Sequence, residues 1–193
     1  MEARMQALRR LLEEFSEFSR RLYPQRPLRG YQLEAAGPVI RAVLGGKGGD
    51  YTLLFSRQAG KDETLAQLGA YLLARYRLRG GSVVMGAPTF KPQCLVSKRR
   101  LLDRCDTPLH PGVISTQGYR VQCGKAAVSF LSTEPSANVR GETGDLMLIA
   151  NEAQDIEPGR WDAAFAPMAA STNAPSAYSG TPWAGGSLLS RQV

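Results

Sequence analysis

The chain has 193 residues, 43% of them hydrophobic and 21% charged, with a formal charge of +7 at neutral pH. That is about one domain's length with enough apolar content for a core, which excludes wholesale disorder; no run approaches the ~20 apolar residues of a membrane-spanning helix, and the start lacks the pattern of a secretory signal. The charge is lopsided: residues 1–110 carry 19 Lys and Arg against 10 Asp and Glu, whereas residues 111–193 carry 5 against 7, so the basic half is either an ordinary solvated surface or one that meets a polyanion.

Leu8, Leu11, Leu12, Phe15, Phe18 and Leu22 recur at helical spacing and predict an amphipathic helix over 4–22, ended by Tyr23-Pro24. A joint over 24–29 leads to a second helix at about 31–44, closed by the glycine-rich turn 45–49. Residues 51–55 read as a buried strand and 56–61 as a loop. Leu65, Leu68, Leu72, Leu73 and Tyr76 mark the apolar face of a third helix, stopped by Gly80-Gly81. Further along, the pattern predicts a strand at 82–87, a helix at 93–105 and two short strands at 118–122 and 126–131 around a turn. An all-apolar strand at 146–150, a helix at 160–170 and a last short strand at 177–179 complete the set.

Strands that are apolar throughout and alternate with helices describe an α/β fold, a mostly parallel central sheet flanked by helices on both faces. Three cysteines, Cys94, Cys105 and Cys123, form no CxxC pair, which argues against a disulfide framework or thiolate zinc site. The single histidine rules out a multi-histidine metal centre. Flanked by Pro108 and Pro111, His110 reads as a surface loop residue.

Two segments carry chemistry. Ser56-Arg57-Gln58-Ala59-Gly60-Lys61 lies between a predicted strand and a predicted helix, the context in which backbone N–H groups cradle phosphates and a lysine reaches the terminal ones. The GxxxxGK[ST] pattern is incomplete: Phe55 replaces the first glycine, and Asp62 replaces the Ser/Thr whose hydroxyl meets Mg²⁺. The second segment is the strand 146–150 followed by Asn151-Glu152, the layout of an apolar strand ending in a metal-site residue and a glutamate that polarises water. Here the metal-site Asp is an Asn.

With these two halves in view, the chain resembles the large terminase subunit of tailed bacteriophages and prophages, the ATP-driven motor that packages DNA into a procapsid. Leu28-Arg29-Gly30-Tyr31-Gln32 resembles the adenine-recognising Q motif, and Ser56 to Glu63 resembles the family's deviant Walker A. Leu148 to Asp155 resembles its Walker B, and Ser179-Gly180-Thr181-Pro182-Trp183 its coupling motif. The four occur in the family's order over residues 28–183.

The resemblance implies an ASCE-type P-loop ATPase domain at 28–193, preceded by the helix and linker of 1–27, without the nuclease domain that follows in the family. It also implies ATP and Mg²⁺ as ligands, and double-stranded DNA, a portal protein and a small terminase subunit as partners. A homo-oligomeric ring would form only on the procapsid, in the host cytoplasm, with no membrane role.

By the same resemblance, Lys61 stabilises charge on the β/γ-phosphates and Glu152 activates water. Gln32 meets the adenine edge, while Tyr31 packs near the base or in the core, the core being favoured. Arg57 contacts the γ-phosphate in cis, and Arg140 is a finger into a neighbour's site, a surface arginine, or an ion-pair partner of Glu142 or Asp145. Ser56, Gln58, Ala59, Gly60, Asp62 and Glu63 complete the nucleotide loop, and Ser179, Gly180 and Thr181 the coupling segment.

For Mg²⁺, which takes few protein ligands, Asp62 and Asn151 look like a carboxylate swap; the alternatives are that Thr64 supplies the hydroxyl, that Asn151 ligates through its amide oxygen, or that Asn151 is a lesion that weakens turnover. Lys98, Arg99, Arg100 and Arg104 form the leading candidate DNA-phosphate surface, with Arg75, Arg77 and Arg79 second; a plain solvated face is the alternative. Two other functions remain open: a helicase-like superfamily-two ATPase, and a non-hydrolysing P-loop module that binds DNA or an assembly partner.

Overall fold

The computed structural model describes residues 14–139, 141–181 and 186–192. The predicted helical stretch 4–13, Arg140 and the Pro182-Trp183 end of the coupling motif lie outside the described residues. The chain begins with α1 (Phe15–Leu22) and α2 (Gly30–Gly45), followed by β1 (Asp50–Leu54), α3 (Lys61–Tyr76) and β2 (Gly81–Ala87). A π-helical turn (Phe90–Cys94) runs into α4 (Leu95–Arg104), and then come β3 (Ile114–Thr116), β4 (Arg120–Cys123), β5 (Ala126–Ser132) and β6 (Met147–Asn151). After a 3-10 turn (Ala153–Asp155), α5 (Pro158–Ala164), α6 (Pro167–Ala170) and β7 (Ser176–Gly180) follow.

One seven-stranded sheet has the order β1-β7-β6-β2-β5-β4-β3. Its five-strand body is parallel, and β4 and β3 extend it antiparallel at one edge. The body strands are apolar because both faces are covered, and side chains alternate between two cores with the period of two that a strand imposes. Val83, Met85, Met147 and Ile149 join the core beneath α1, α2, α3 and α4, whereas Val84, Leu148 and Ala150 join the one beneath α5 and α6. Leu148 and Ile149 are at most 1% exposed, and each such burial contributes ~1.5–3 kcal/mol. Gly86 lacks a side chain because a Cβ there would come within 2.8 Å of Trp161, which stacks on Phe165 at 5.0 Å between ring centroids. Phe15 and Phe18 of α1 pack edge-on against Tyr71 of α3, so this helix is part of the main core.

Four expectations change. The edge is an antiparallel meander with a strand, β3, that was not predicted, because three residues with one apolar side chain show no period. The helix expected at 93–105 starts as α4 at Leu95, after the π turn that carries Pro92. The helix expected at 160–170 is split into α5 and α6, since Pro167 has no N–H to continue a helical ladder. Finally, His110 is buried, not on a surface loop: it is 3% exposed, its Nε2 lies 2.7 Å from the carbonyl of Ala70 and its Nδ1 2.8 Å from the Thr107 hydroxyl. The turn around it folds onto α3 and seats the ring edge-on to Phe18.

Candidate active site

β1 ends at the sheet's C-terminal edge, where Phe55 N–H donates to Gly180 of β7. Five residues separate Phe55 from Lys61, where α3 begins. Gln58 and Gly60 both have left-handed backbone, with φ of 61° and 79°, the kind of loop geometry from which anion-binding nests are made. The φ of Gly60 favours glycine, and a Cβ there would push aside the end of the Gln32 side chain. α2 braces this loop from behind. Gln32 accepts from Arg29 N–H through Oε1 and donates from Nε2 to the carbonyls of Ala59 (3.2 Å) and Gly60 (3.1 Å). The Tyr31 hydroxyl donates to Ala59 at 2.8 Å. Tyr31 is 44% exposed and so is not a core residue, correcting that expectation.

The loop, Lys61 and the end of β6 enclose an open cleft of about 650 Å³. Ser56, Arg57, Gln58, Ala59, Gly60, Lys61 and Asp62 line one side, and Glu152, Gln154, Asp155 and Thr181 the other, with Gln93 and Arg100 between them. Lys61 Nζ lies 2.5 Å from Glu152 Oε1 and donates to Asn151 Oδ1 at 3.1 Å. Asn151 is buried beneath the lysine; its Oδ1 also accepts Glu152 N–H and its Nδ2 donates to Ser97. Burial raises the Glu152 pKa, but hydrogen bonds from Lys61 and Gln154 outweigh it and hold the carboxyl below the usual range. Glu152 also has left-handed backbone, φ 55°, an uncommon conformation for a non-glycine residue that is enriched at functional sites.

The remaining expected residues divide. Ser179 is fully buried, its hydroxyl without a hydrogen-bond partner among the described residues, and Gly180 closes β7 against Gln154. Thr181 N–H donates to Gln154 Oε1 at 3.2 Å. Glu63 does not line the cleft: it takes Arg104 at 2.6 and 2.9 Å and Gln67 at 2.8 Å. Thr64 is fully buried and donates to Gly60.

The basic residues of α4 do not form one patch. Lys98 reaches Gly118 and Ser115 of the β3–β4 hairpin, Arg100 faces Asp62 at 3.7 Å, and Arg104 is spent on Glu63; Arg99 is exposed. Of the ion-pair partners suggested for Arg140, Glu142 accepts from Ser129, Arg120 and Tyr119, and Asp145 accepts from Ser82 N–H.

No protein-family model matches the chain, and no curated protein matches its sequence. Solved structures do match. The large terminase of bacteriophage HK97 is 19% identical with a TM-score of 0.73, over 93% of this chain and 40% of that one. The large terminase ATPase domain of Thermus phage P74-26 is 18% identical with a TM-score of 0.64, over 81% of this chain and 65% of that one. This chain shares the fold of phage large-terminase ATPase domains. An arginine-to-alanine mutant of the P74-26 domain also matches, with 18% identity and a TM-score of 0.59 over 70% of this chain and 60% of that one. In each case this chain spans less than two thirds of the protein it matches. The α/β architecture expected from the sequence, a mostly parallel central sheet covered by helices on both faces, is thus the one observed.

Gln93, Arg100, Gln154 and Asp155 line the cleft without having been expected there. Gln154 stands inside the motif quoted for β6, but nothing in a one-dimensional pattern shows that it turns back onto the glutamate two positions earlier.

Proposed function

We propose that this chain is the ATPase domain of a viral DNA-packaging large terminase, hydrolysing ATP to drive double-stranded DNA into a procapsid. The observation that carries the reading is the Lys61–Glu152 pair, set across the cleft between the nucleotide loop and the end of β6 in a terminase-like fold. In the chemistry proposed, loop N–H groups and Lys61 bind the β- and γ-phosphates. Glu152 accepts a proton from water as its oxygen attacks the γ-phosphorus, and the bond from that phosphorus to the β–γ bridging oxygen breaks to release ADP. Lys61 must then exchange Glu152 and Asn151 for phosphate oxygens, which frees the carboxylate to face water.

Mg²⁺ supplies charge neutralisation on the phosphates when bound. Of the two oxygen donors expected for it, only Asp62 lines the cleft; Asn151 lies buried under Lys61, so Asp62 is the residue that would hold the ion. Gln32 and Tyr31 serve by holding the loop, and Arg57 lines the phosphate side. Arg140, two residues before the anchored Glu142, acts as a finger toward a neighbouring subunit in a ring assembled on the portal. Arg99 contacts DNA phosphates, and the small terminase subunit delivers that DNA in the host cytoplasm.

The test is Lys61→Ala in the complete packaging assembly. Phosphate release falls to background while the thermal melt stays near that of the parent. Unchanged release would remove the phosphate-loop assignment.

A further inference from the structure

We propose that Gln154 is a positioning residue for hydrolysis, fixing the second oxygen of the Glu152 carboxylate and tying it to the backbone of the coupling segment. The inference rests on reading Lys61 and Glu152 as the hydrolytic pair. Glu152 has two partners, one on each oxygen: Lys61 on Oε1 and Gln154 Nε2 on Oε2, at 2.7 Å. When phosphates draw Lys61 away, the contact from Gln154 remains. A carboxylate at the end of a flexible side chain needs such a restraint, because a displacement of about 1 Å from productive geometry costs on the order of 100-fold in rate.

The amide can sit only one way round. Its two N–H bonds point at two carboxylates, Glu152 Oε2 and Asp155 Oδ2 (3.0 Å), and its carbonyl accepts Thr181 N–H at 3.2 Å. Flipping it would set the carbonyl oxygen against both anions and two donors against a donor. The neighbouring residues leave room for this arrangement. A Cβ on Gly180 would collide with Gln154 Oε1, so glycine at the end of β7 keeps the seat open. The short turn carrying Gln154 is itself pinned, since Leu189 N–H donates to Ala153 at 3.2 Å. A shift of Gly180-Thr181 therefore moves the amide, and with it the carboxylate that activates water.

Three variants of the complete packaging assembly test this. Gln154→Leu keeps the bulk without polar atoms, Gln154→Glu removes the N–H donors, and Gly180→Ala displaces the amide without altering residue 154. Each lowers kcat by about tenfold or more and leaves KM for ATP unchanged, since none touches the phosphate side. In a Glu152→Gln background, Gln154→Leu and Gly180→Ala cost nothing further, because the group they position is already gone. A kcat for Gln154→Leu within twofold of the parent, beside a Glu152→Gln variant whose turnover is strongly reduced yet still measurable, overturns this proposal alone. So does a full additional loss in the Glu152→Gln background, which is what a merely structural role gives. A Glu152→Gln variant that hydrolyses ATP at the parental rate overturns the underlying reading and this proposal with it.

Discussion

Two short ion pairs flank α3, and they belong to different kinds of place. Lys61–Glu152 closes at 2.5 Å and Arg104–Glu63 at 2.6 Å, and all four side chains are largely buried. Around Arg104 the neighbours complete the pair: the guanidinium lies over the Tyr23 ring, the Tyr23 hydroxyl donates to Arg104's own carbonyl, and Gln67 takes up Glu63. Around Lys61 they leave it open: the pair faces a wide cleft, and left-handed backbone at Gly60 and Glu152 flanks it. A salt bridge's job is therefore read from what surrounds it. One pair is a seam between helices, and the other is a temporary arrangement of groups with a further use.

The largest effect that separates them is on turnover. Lys61→Ala takes ATP hydrolysis to background with little change in melting temperature, because Glu152 can turn to water in the cleft. Arg104→Ala does the reverse. It leaves the largely buried Glu63 with Gln67 as its hydrogen-bond partner, which costs about 1–3 kcal/mol and lowers the melting temperature by roughly 2–4 °C for each of those kcal/mol, while hydrolysis per folded molecule stays near the parent's. Equal losses of activity in the two variants would erase the distinction.

The metal sharpens the cleft side. Asp62→Ala loses Mg²⁺-dependent hydrolysis, whereas Asn151→Asp does little or hinders it. An added carboxylate beside Glu152 and Asp62 crowds like charges, which raises their pKa values instead of improving ligation. A clear rise in rate for Asn151→Asp across a Mg²⁺ titration, with a neutral Asp62→Ala, would show Asn151 to be a weakened metal ligand.

A smaller effect lies on α4. Its four basic residues have four different situations, and only Arg99 is both exposed and clear of the cleft and the hairpin. Arg99→Ala reduces the salt dependence of DNA binding by about one unit of slope. Arg104→Ala, measured on folded protein, leaves that slope alone.

These residues also show what a sequence discloses. β6 and the nucleotide loop were legible because an apolar run followed by Asn-Glu, and a Gly-Lys pair between strand and helix, are local signals. The body of the sheet was legible for the same reason. The fate of a charged side chain is decided by residues far away in the chain: Glu63 stands inside the loop motif yet meets Arg104 forty-one positions on. Tyr31 and His110 failed similarly, one drawn outward to a loop carbonyl and the other inward to a helix carbonyl. β3 and the break at Pro167 were missed because short elements carry too few residues to set a period.

His110 gives the smallest effect, and it tests the seam side by pH. The ring sits against α3 with Nε2 on the carbonyl of Ala70 and Nδ1 on the Thr107 hydroxyl, an arrangement that suits the neutral form with the proton on Nε2. Burial lowers its pKa below 6.5, the bond to Ala70 opposes this, and Arg77 adds to the lowering. The unfolded chain therefore binds a proton more readily than the folded one as the pH falls through about 6.5, so stability rises with pH across that range and is progressively lost below it. The carboxylates with lowered pKa values, Glu17, Glu63, Glu152 and Asp162, act in the same direction only below about pH 4.5, so the window from pH 7.5 to 5.5 isolates the histidine. Denaturant unfolding over that window shows the parent losing stability as the pH falls. His110→Gln keeps a donor for Ala70 and cannot titrate, so it flattens the profile; Lys61→Ala leaves the slope as it was. A parent profile that is flat from pH 7.5 to 5.5, or one that stays sloped in His110→Gln, would show that the seam does not hold this ring neutral.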